Sequence, residues 1–325
     1  MKRNVRLEVS NYCNLRCPFC ARVDVDKATL NNLHLSLEDV EKFLRRFFLL
    51  QVNKVYLSGA VAEPTLNPEL IDIVKYLAKY CDVSIDSNGS TRDVDWWAEL
   101  GAVGVECTFS PDSIKPNNNK YRINSNTDKV IENMRAYAAA GGNAVWKHIP
   151  YSHNVDELED QRNISNEIGA KFVIAKPYPT RNRTESFKDI SFTRESYVEN
   201  STPHHYCKML GEMSNLIEIS PHGIVYPCCY TFPAIYLVYE NYFKSGDTTP
   251  RRDIVGDDSI TSFIETVVPL IERQGGIESL SLHHHPIHEV LNSPFYKTTL
   301  KQSWDDKEHY CNKHCRSSKY LLQEF

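Results

Sequence analysis

Three thiols stand close together near the start of the chain: Cys13, Cys17 and Cys20, spaced C-x3-C-x2-C. Thiolates are soft metal ligands, and three on one short loop can share a metal centre. They cannot complete a four-cysteine site, so either a distant residue supplies the fourth ligand or one metal position stays open. The chain has 10 cysteines in all. Cys81 and Cys107 sit alone in apolar segments and read as small core residues. The others form two later groups, Cys207 with Cys228 and Cys229, and Cys311 with Cys315. Met-Lys-Arg-Asn leads into a strand pattern rather than a signal-peptide core, so a reducing, cytoplasmic setting is expected. Clustered thiols there point to metal rather than disulfides.

The elements that must position these groups alternate strand and helix. Val5, Leu7 and Val9 alternate with polar residues as a first strand. The cysteine loop therefore follows a strand's C-terminal end, where parallel α/β folds carry their chemistry. A helix is expected over about 37–51, with Ser36 and Asp39 as its capping pair. A strand over 54–57 leads to a helix with Asn67 as N-cap and Pro68 at its first position. Strands over 82–86, 104–110, 144–150 and 171–176 then alternate with helices over 93–100, 127–140 and 155–168. Strands joined by such helices imply right-handed crossovers, a parallel sheet and an α/β fold. Six units suit a partial (βα)6 TIM-like barrel; a flat doubly wound sheet fits the periodicity almost as well.

From about 179 the chain turns polar, and 181–206 reads as a linker between a barrel over 1–180 and a second domain over 207–325. Ser220-Pro221-His222-Gly223 suits a type I turn between two short strands, hence a β-hairpin. Helical stretches near 258–273 and 287–301 complete a small α+β domain.

The spacing C-x3-C-x-aromatic-C, with Phe19 as the aromatic, resembles the signature of the radical S-adenosylmethionine (SAM) superfamily. That resemblance implies a [4Fe–4S] cluster with three irons on Cys13, Cys17 and Cys20 and the fourth chelating SAM. Reductive cleavage of SAM would yield a 5′-deoxyadenosyl radical that abstracts hydrogen from a substrate. A zinc knuckle or plain redox cluster is the bland alternative, but zinc sites usually show paired C-x2–4-C units, and this C-x3-C-x2-C run has no nearby fourth ligand. Ser58-Gly59-Ala60-Val61-Ala62-Glu63-Pro64 is similar to the family's Gly-Gly-Glu-Pro element, with Val61 and Ala62 in the glycine places. Ser87-Asn88-Gly89 is similar to its Thr-Asn-Gly, Ser110 to a serine near SAM polar groups, and Lys120-Tyr121-Arg122 to a segment whose Arg pairs with the SAM carboxylate. The resemblance thus implies cofactor-binding roles for Phe19, Ala62, Glu63, Asn88, Ser110 and Arg122. Each alone is also what an ordinary strand-end loop contains. Lys147, His148, Lys176 and Tyr178 are candidates for the substrate side, with rim positions as the alternative.

Cys207, the hairpin cysteines and the late pair resemble the twitch, or shortened SPASM, auxiliary-cluster domain. Cys207, Cys228, Cys311 and Cys315 would hold a second [4Fe–4S] cluster, with Cys229 spare or in place of Cys228. Structural zinc is the alternative for those thiols. His283, His284, His285 and His288 read as a solvated segment.

The formal net charge of −5 gives no overall basic field for nucleic acid or an anionic membrane, and no stretch approaches a membrane span. The resemblance implies an enzyme that needs an external electron donor such as flavodoxin or ferredoxin. Its first expected substrate is a peptide or protein side chain. A small molecule, such as a carbohydrate, undergoing radical oxidation or epimerisation comes second. A non-catalytic iron–sulfur or zinc-binding electron-transfer module is the reading from another class.

Overall fold

A computed structural model describes residues 2–18, 20, 22, 30–59, 62–115, 120–151, 153–175, 216–226, 231–252 and 258–299. In chain order the main elements are β1 (Arg3–Leu7), α1 (Leu37–Phe43), α2 (Arg46–Leu49), β2 (Val52–Leu57), α3 (Leu70–Leu77), β3 (Asp82–Ser87), α4 (Val94–Gly101), β4 (Glu106–Phe109), α5 (Thr127–Ala139), β5 (Asn143–His148), α6 (Leu158–Ile168), β6 (Lys171–Ile174), β7 (Leu216–Ile219) and β8 (Val225–Tyr226). Five short helices follow: α7 (Phe232–Val238), α8 (Glu240–Ser245), α9 (Asp258–Thr266), α10 (Val268–Arg273) and α11 (Ile287–Asn292). The chain divides into two compact units, one of residues 1–8, 24–53 and 201–325, the other of 9–23 and 54–200. Cys207, Cys228, Cys229, Cys311, Cys315, Phe19, Lys176, Tyr178 and the 181–206 segment lie outside the described residues.

In the second unit β2 pairs with β3, β3 with β4, β4 with β5 and β5 with β6, all parallel, and β6 is an edge. The expected α/β architecture with parallel strands is therefore present, and the sheet is not closed. Alternation along each strand sorts side chains onto two faces. One face meets the helices: Phe109 packs against Trp97 of α4 at 4.8 Å and Tyr137 of α5 at 5.6 Å between ring centroids. Trp146 donates to Gln161 of α6 at 3.2 Å. Buried aromatics of this size contribute most of the apolar area removed from water. Cys107 is fully buried on this face and Cys81 half-buried.

Local signals set the helix starts. Ser36 and Asp39 form the expected capping box on α1, and Asp93 and Asn126 cap α4 and α5. Asn67 accepts from the Glu69 N–H at 2.8 Å and donates to the Val9 carbonyl at 2.8 Å, so it also ties the start of the cysteine loop to the sheet.

In the first unit β1 pairs parallel with β7, and β7 antiparallel with β8 through the turn at Ser220–Gly223, where Gly223 adopts φ +70. The expected helix over 37–51 is broken, because Leu44 leaves helical geometry (φ −115, ψ 64). The break buries Leu44 and Leu49 and leaves Phe47 outside at 80% exposure. The expected 258–273 helix divides at Val267, and Pro269 stands at the second position of α10. The expected 287–301 helix is interrupted after Asn292, next to Pro294, and resumes as a π-helical turn over Phe295–Thr299.

His222 of that turn is largely enclosed by Tyr236 and Phe243, with Nδ1 2.8 Å from the Tyr236 hydroxyl. Burial, with His283 adding repulsion, pushes its pKa down to about 4. The folded state thus holds a neutral imidazole. That contribution is complete above the ordinary histidine pKa and is lost as pH falls from about 6.5 towards 4. Chemical denaturation should show up to about 3 kcal/mol of stability disappearing across this window, and His222→Gln should flatten that slope.

Candidate metal and cofactor site

The cysteine loop is held by backbone and side chains of neighbouring strand ends. The Glu63 N–H donates to the Tyr12 carbonyl at 2.8 Å, and the Arg16 N–H to the Ile123 carbonyl at 3.1 Å. Within the loop the Cys20 N–H reaches the Cys17 carbonyl at 3.2 Å. Cys13 Sγ accepts from the Leu15 N–H at 3.4 Å and from Asn88 Nδ2 at 3.8 Å. Asn88 Nδ2 also donates to Asn14 Oδ1 at 2.9 Å. Asn14 Nδ2 donates to Ser90 Oγ at 2.9 Å, and Ser90 Oγ returns a bond to Asn88 Oδ1 at 2.6 Å. This closed ring of three side chains fixes the loop to the end of β3.

Beneath it lies the fully buried Glu63. Its Oε1 accepts from Thr65 Oγ1 at 2.7 Å, Ser87 Oγ at 2.7 Å and the Thr65 N–H at 3.2 Å; its Oε2 accepts from the Asn88 N–H at 2.7 Å. Thr65 and Thr91 hydroxyls share a further bond at 2.5 Å. Burial raises the Glu63 pKa and the donors oppose it. Both carboxylate oxygens are engaged within the protein, so Glu63 acts on the site by holding Asn88 and the Thr65 turn.

At Gly59 a Cβ would lie 3.0 Å from Ala62 backbone and side-chain atoms; Val61 lies outside the described residues. Gly89 does require glycine: its φ is +71, and a Cβ would meet Phe109 and Val130 at 2.9 Å.

Ser110 is buried at the end of β4, its N–H bonded to the Ser87 carbonyl at 3.2 Å. Asp112, two residues on, is fully buried with φ +59 and ion-pairs through Oδ2 with Arg122 Nε. Asn154 and Gln161 grip the Asp112 carbonyl at 2.6 and 3.2 Å. Asp112 occupies the Nε edge of the guanidinium. Asp112 and Cys17 both favour the charged guanidinium against its burial.

Lys147 and His148, neighbours on β5, point to opposite faces. His148 is buried on the helix side with Nδ1 2.9 Å from Gln161 Oε1, and desolvation lowers its pKa. Lys147 is on the face away from the helices, 3.6 Å from Asp86. Asp112, Asn14 and Ser90 are site residues that sequence reasoning did not single out; the only signal was their place beside Ser110, Cys13 and Asn88.

The donor set fits an iron–sulfur cluster. Without metal, burial pushes the Cys13 thiol up to about 12 and Cys17 up to about 11, so metal charge is what would hold these sulfurs as thiolates. Among the described residues no three His, Cys, Asp or Glu side chains converge on a single ion. A cluster spaces its ligands more widely than one ion does, and N–H donors to a ligand sulfur, as at Cys13, are a means of setting its potential. Glu63→Ala would strand several buried donors. Urea unfolding of the metal-free chain should show a loss of about 3 kcal/mol or more.

Residues 7–161 match the sequence model of the radical SAM superfamily. GTP 3′,8-cyclase of Peptoclostridium acidaminophilum is 23% identical over 238 residues, 67% of this chain and 72% of that protein. GTP 3′,8-cyclase 1 of Mycobacterium tuberculosis is 29% identical over 182 residues, covering 53% of this chain and 50% of that protein. Among solved structures, native anSMEcpe with bound AdoMet and Cp18Cys peptide superposes with a TM-score of 0.55 at 13% identity, over 93% of this chain and 83% of that one. Streptococcus suis SuiB bound to precursor peptide SuiA superposes with a TM-score of 0.54 at 14% identity, over 71% of this chain and 60% of that one. At these identities the likeness is one of fold, a mostly parallel, open α/β barrel. Residues 7–161, a little under half of the chain, are similar throughout to a radical SAM domain.

Proposed function

We propose that this enzyme uses SAM to abstract hydrogen from a small polar molecule, and the observation that carries this reading is the cysteine loop locked by Asn14, Asn88 and Ser90 at the C-terminal end of a parallel sheet. Cys13, Cys17 and Cys20 would hold a [4Fe–4S] cluster that also binds SAM. When bound, the cluster and SAM supply an electron and a hydrogen-abstracting radical. The chain's own residues orient these groups. Arg122, fixed by Asp112, presents its terminal nitrogens to the SAM carboxylate. The Ala62 backbone, Asn88 and Ser110 would meet its other polar groups; Phe19, the motif's aromatic, lies outside the described residues. Glu63 holds the strand ends in register beneath the cofactor-binding residues, among which the resemblance also counts it.

The substrate reading rests on the helix-free face of the β2–β6 sheet, which carries Lys54 with Glu106 and Lys147 with Asp86 instead of an apolar lining. A small polar substrate suits such a face, and the relatives named above are GTP 3′,8-cyclases. A peptide or protein side chain is the other reading, supported by the twitch-like order of the late cysteines. In that division residues 1–180 form the barrel, 181–206 a linker and 207–325 the auxiliary domain, with Cys207, Cys228, Cys311 and Cys315 around a second [4Fe–4S] cluster. Lys176 and Tyr178 would stand on the substrate side. An electron donor such as flavodoxin or ferredoxin completes the system. Among the described residues no helix is long and apolar enough to cross a membrane.

Anaerobic reconstitution with iron and sulfide, then reduction with SAM, should release 5′-deoxyadenosine, and Cys17→Ala should abolish it. A parent chain that releases none, or a Cys17→Ala variant that matches it, contradicts the proposal. Iron near eight per chain supports two clusters; about four with zinc makes the late cysteines structural.

A further inference from the structure

The interior of a parallel barrel is ordinarily filled by branched apolar side chains. The helix-free face of this sheet departs from that at two depths. Near the strands' N-terminal ends Lys54 Nζ lies 2.9 Å from Glu106 Oε1, a hydrogen-bonded pair. Nearer the C-terminal ends Lys147 Nζ lies 3.6 Å from Asp86 Oδ1, an ion pair too long for a hydrogen bond. The side chains of Lys147 and Asp86 keep 28% and 49% of their surface accessible. Lys54 and Glu106 are joined by a hydrogen bond with 22% and 36% of their side-chain surface accessible, whereas the upper pair is joined by charge alone and is somewhat more open.

Position makes this pair relevant to the reaction. Asp86 precedes Asn88 by two residues on one strand, which places it about 7 Å deeper on the same face. The register pairs Asp86 with Thr108 and Thr108 with Val145. Continued by two residues, it puts Lys147 on the rung of Ser110 and Asn88. Lys147 is therefore level with the strand ends assigned to SAM, and Asp86 lies one step deeper on the same face. A surface ion pair at this distance contributes little to stability, so packing gives no reason for two charges here.

We infer that Asp86 and Lys147 are the specificity-determining pair for the substrate: Lys147 takes an anionic group, a phosphate or carboxylate, and Asp86 takes an N–H or O–H donor of the same small molecule. The inference rests on the proposed radical reaction for its role, but binding is read separately from turnover. Without ligand the two charges neutralise each other; a ligand carrying both complementary groups separates them. Asp86 then competes with an anion for Lys147, and the two residues act in opposite directions on a simple anion.

The test is equilibrium binding to the reconstituted protein at saturating SAM, so that Arg122 is occupied. The probes are inorganic pyrophosphate, and glucose 6-phosphate against glucose. The parent should bind pyrophosphate, and glucose 6-phosphate more tightly than glucose. Lys147→Gln should weaken pyrophosphate binding roughly tenfold or more, Lys147→Arg should retain it, and Asp86→Asn should tighten it, all with SAM affinity unchanged. Absence of pyrophosphate and glucose 6-phosphate binding to both the parent and Asp86→Asn overturns the inference. Binding that ignores Lys147→Gln, or weakens equally in Asp86→Asn, does so too. If binding follows Lys147 but no 5′-deoxyadenosine ever forms, the radical reading fails and the pair stands; 5′-deoxyadenosine formation with anion binding indifferent to Lys147 sinks the pair alone.

Discussion

Hydrogen-bond donors from three residues converge on the buried Glu63 carboxylate, and the arrangement of the site follows from that convergence. Thr65 belongs to the turn after β2, Ser87 and Asn88 to the end of β3. A buried carboxylate is costly to desolvate and is retained only where its lone pairs are met. Glu63 therefore fixes the relative heights of two strand ends. Asn88, so placed, turns its amide towards Asn14 and Cys13. The order of dependence runs from one buried charge to two strand ends to the thiol loop.

A second polar assembly does the same on the other flank. Glu157 accepts from Ser113 Oγ at 2.9 Å and the Ile114 N–H at 2.7 Å, while Asn154 and Gln161 hold the Asp112 carbonyl. Asp112 tolerates a left-handed backbone because the surrounding bonds determine it, a strain of order 1–3 kcal/mol that stays local. The result is a guanidinium fixed along one edge beside Cys17. Two polar supports thus flank the thiol loop, whereas the sheet face opposite α4, α5 and α6 carries Lys54 with Glu106 and Lys147 with Asp86, all partly accessible.

Much of this was legible in the sequence because it is local. The capping box at Ser36 and Asp39, the caps at Asp93 and Asn126, and the alternation of strands and helices all follow from neighbours within a few residues. The cysteine spacing and its place after a strand were equally plain. What escaped was decided across strands. Lys147 and His148 look equivalent in sequence, and only pairing with β4 and packing on α6 assigns one to each face. Asp112 gave no sign of its left-handed backbone, which depends on Asn154 and Gln161 some 40 residues or more away. The long apolar run over 37–51 suggested one helix, but burying Leu44 and Leu49 together required a break.

The central claim is that the loop holds a cluster with one iron open to SAM. Electron paramagnetic resonance of the reduced, reconstituted protein tests it most directly, recorded with and without SAM. The account predicts a reduced [4Fe–4S] signal that changes shape when SAM is added, because SAM becomes a ligand of the open iron. A signal from this loop that SAM leaves unchanged would contradict it.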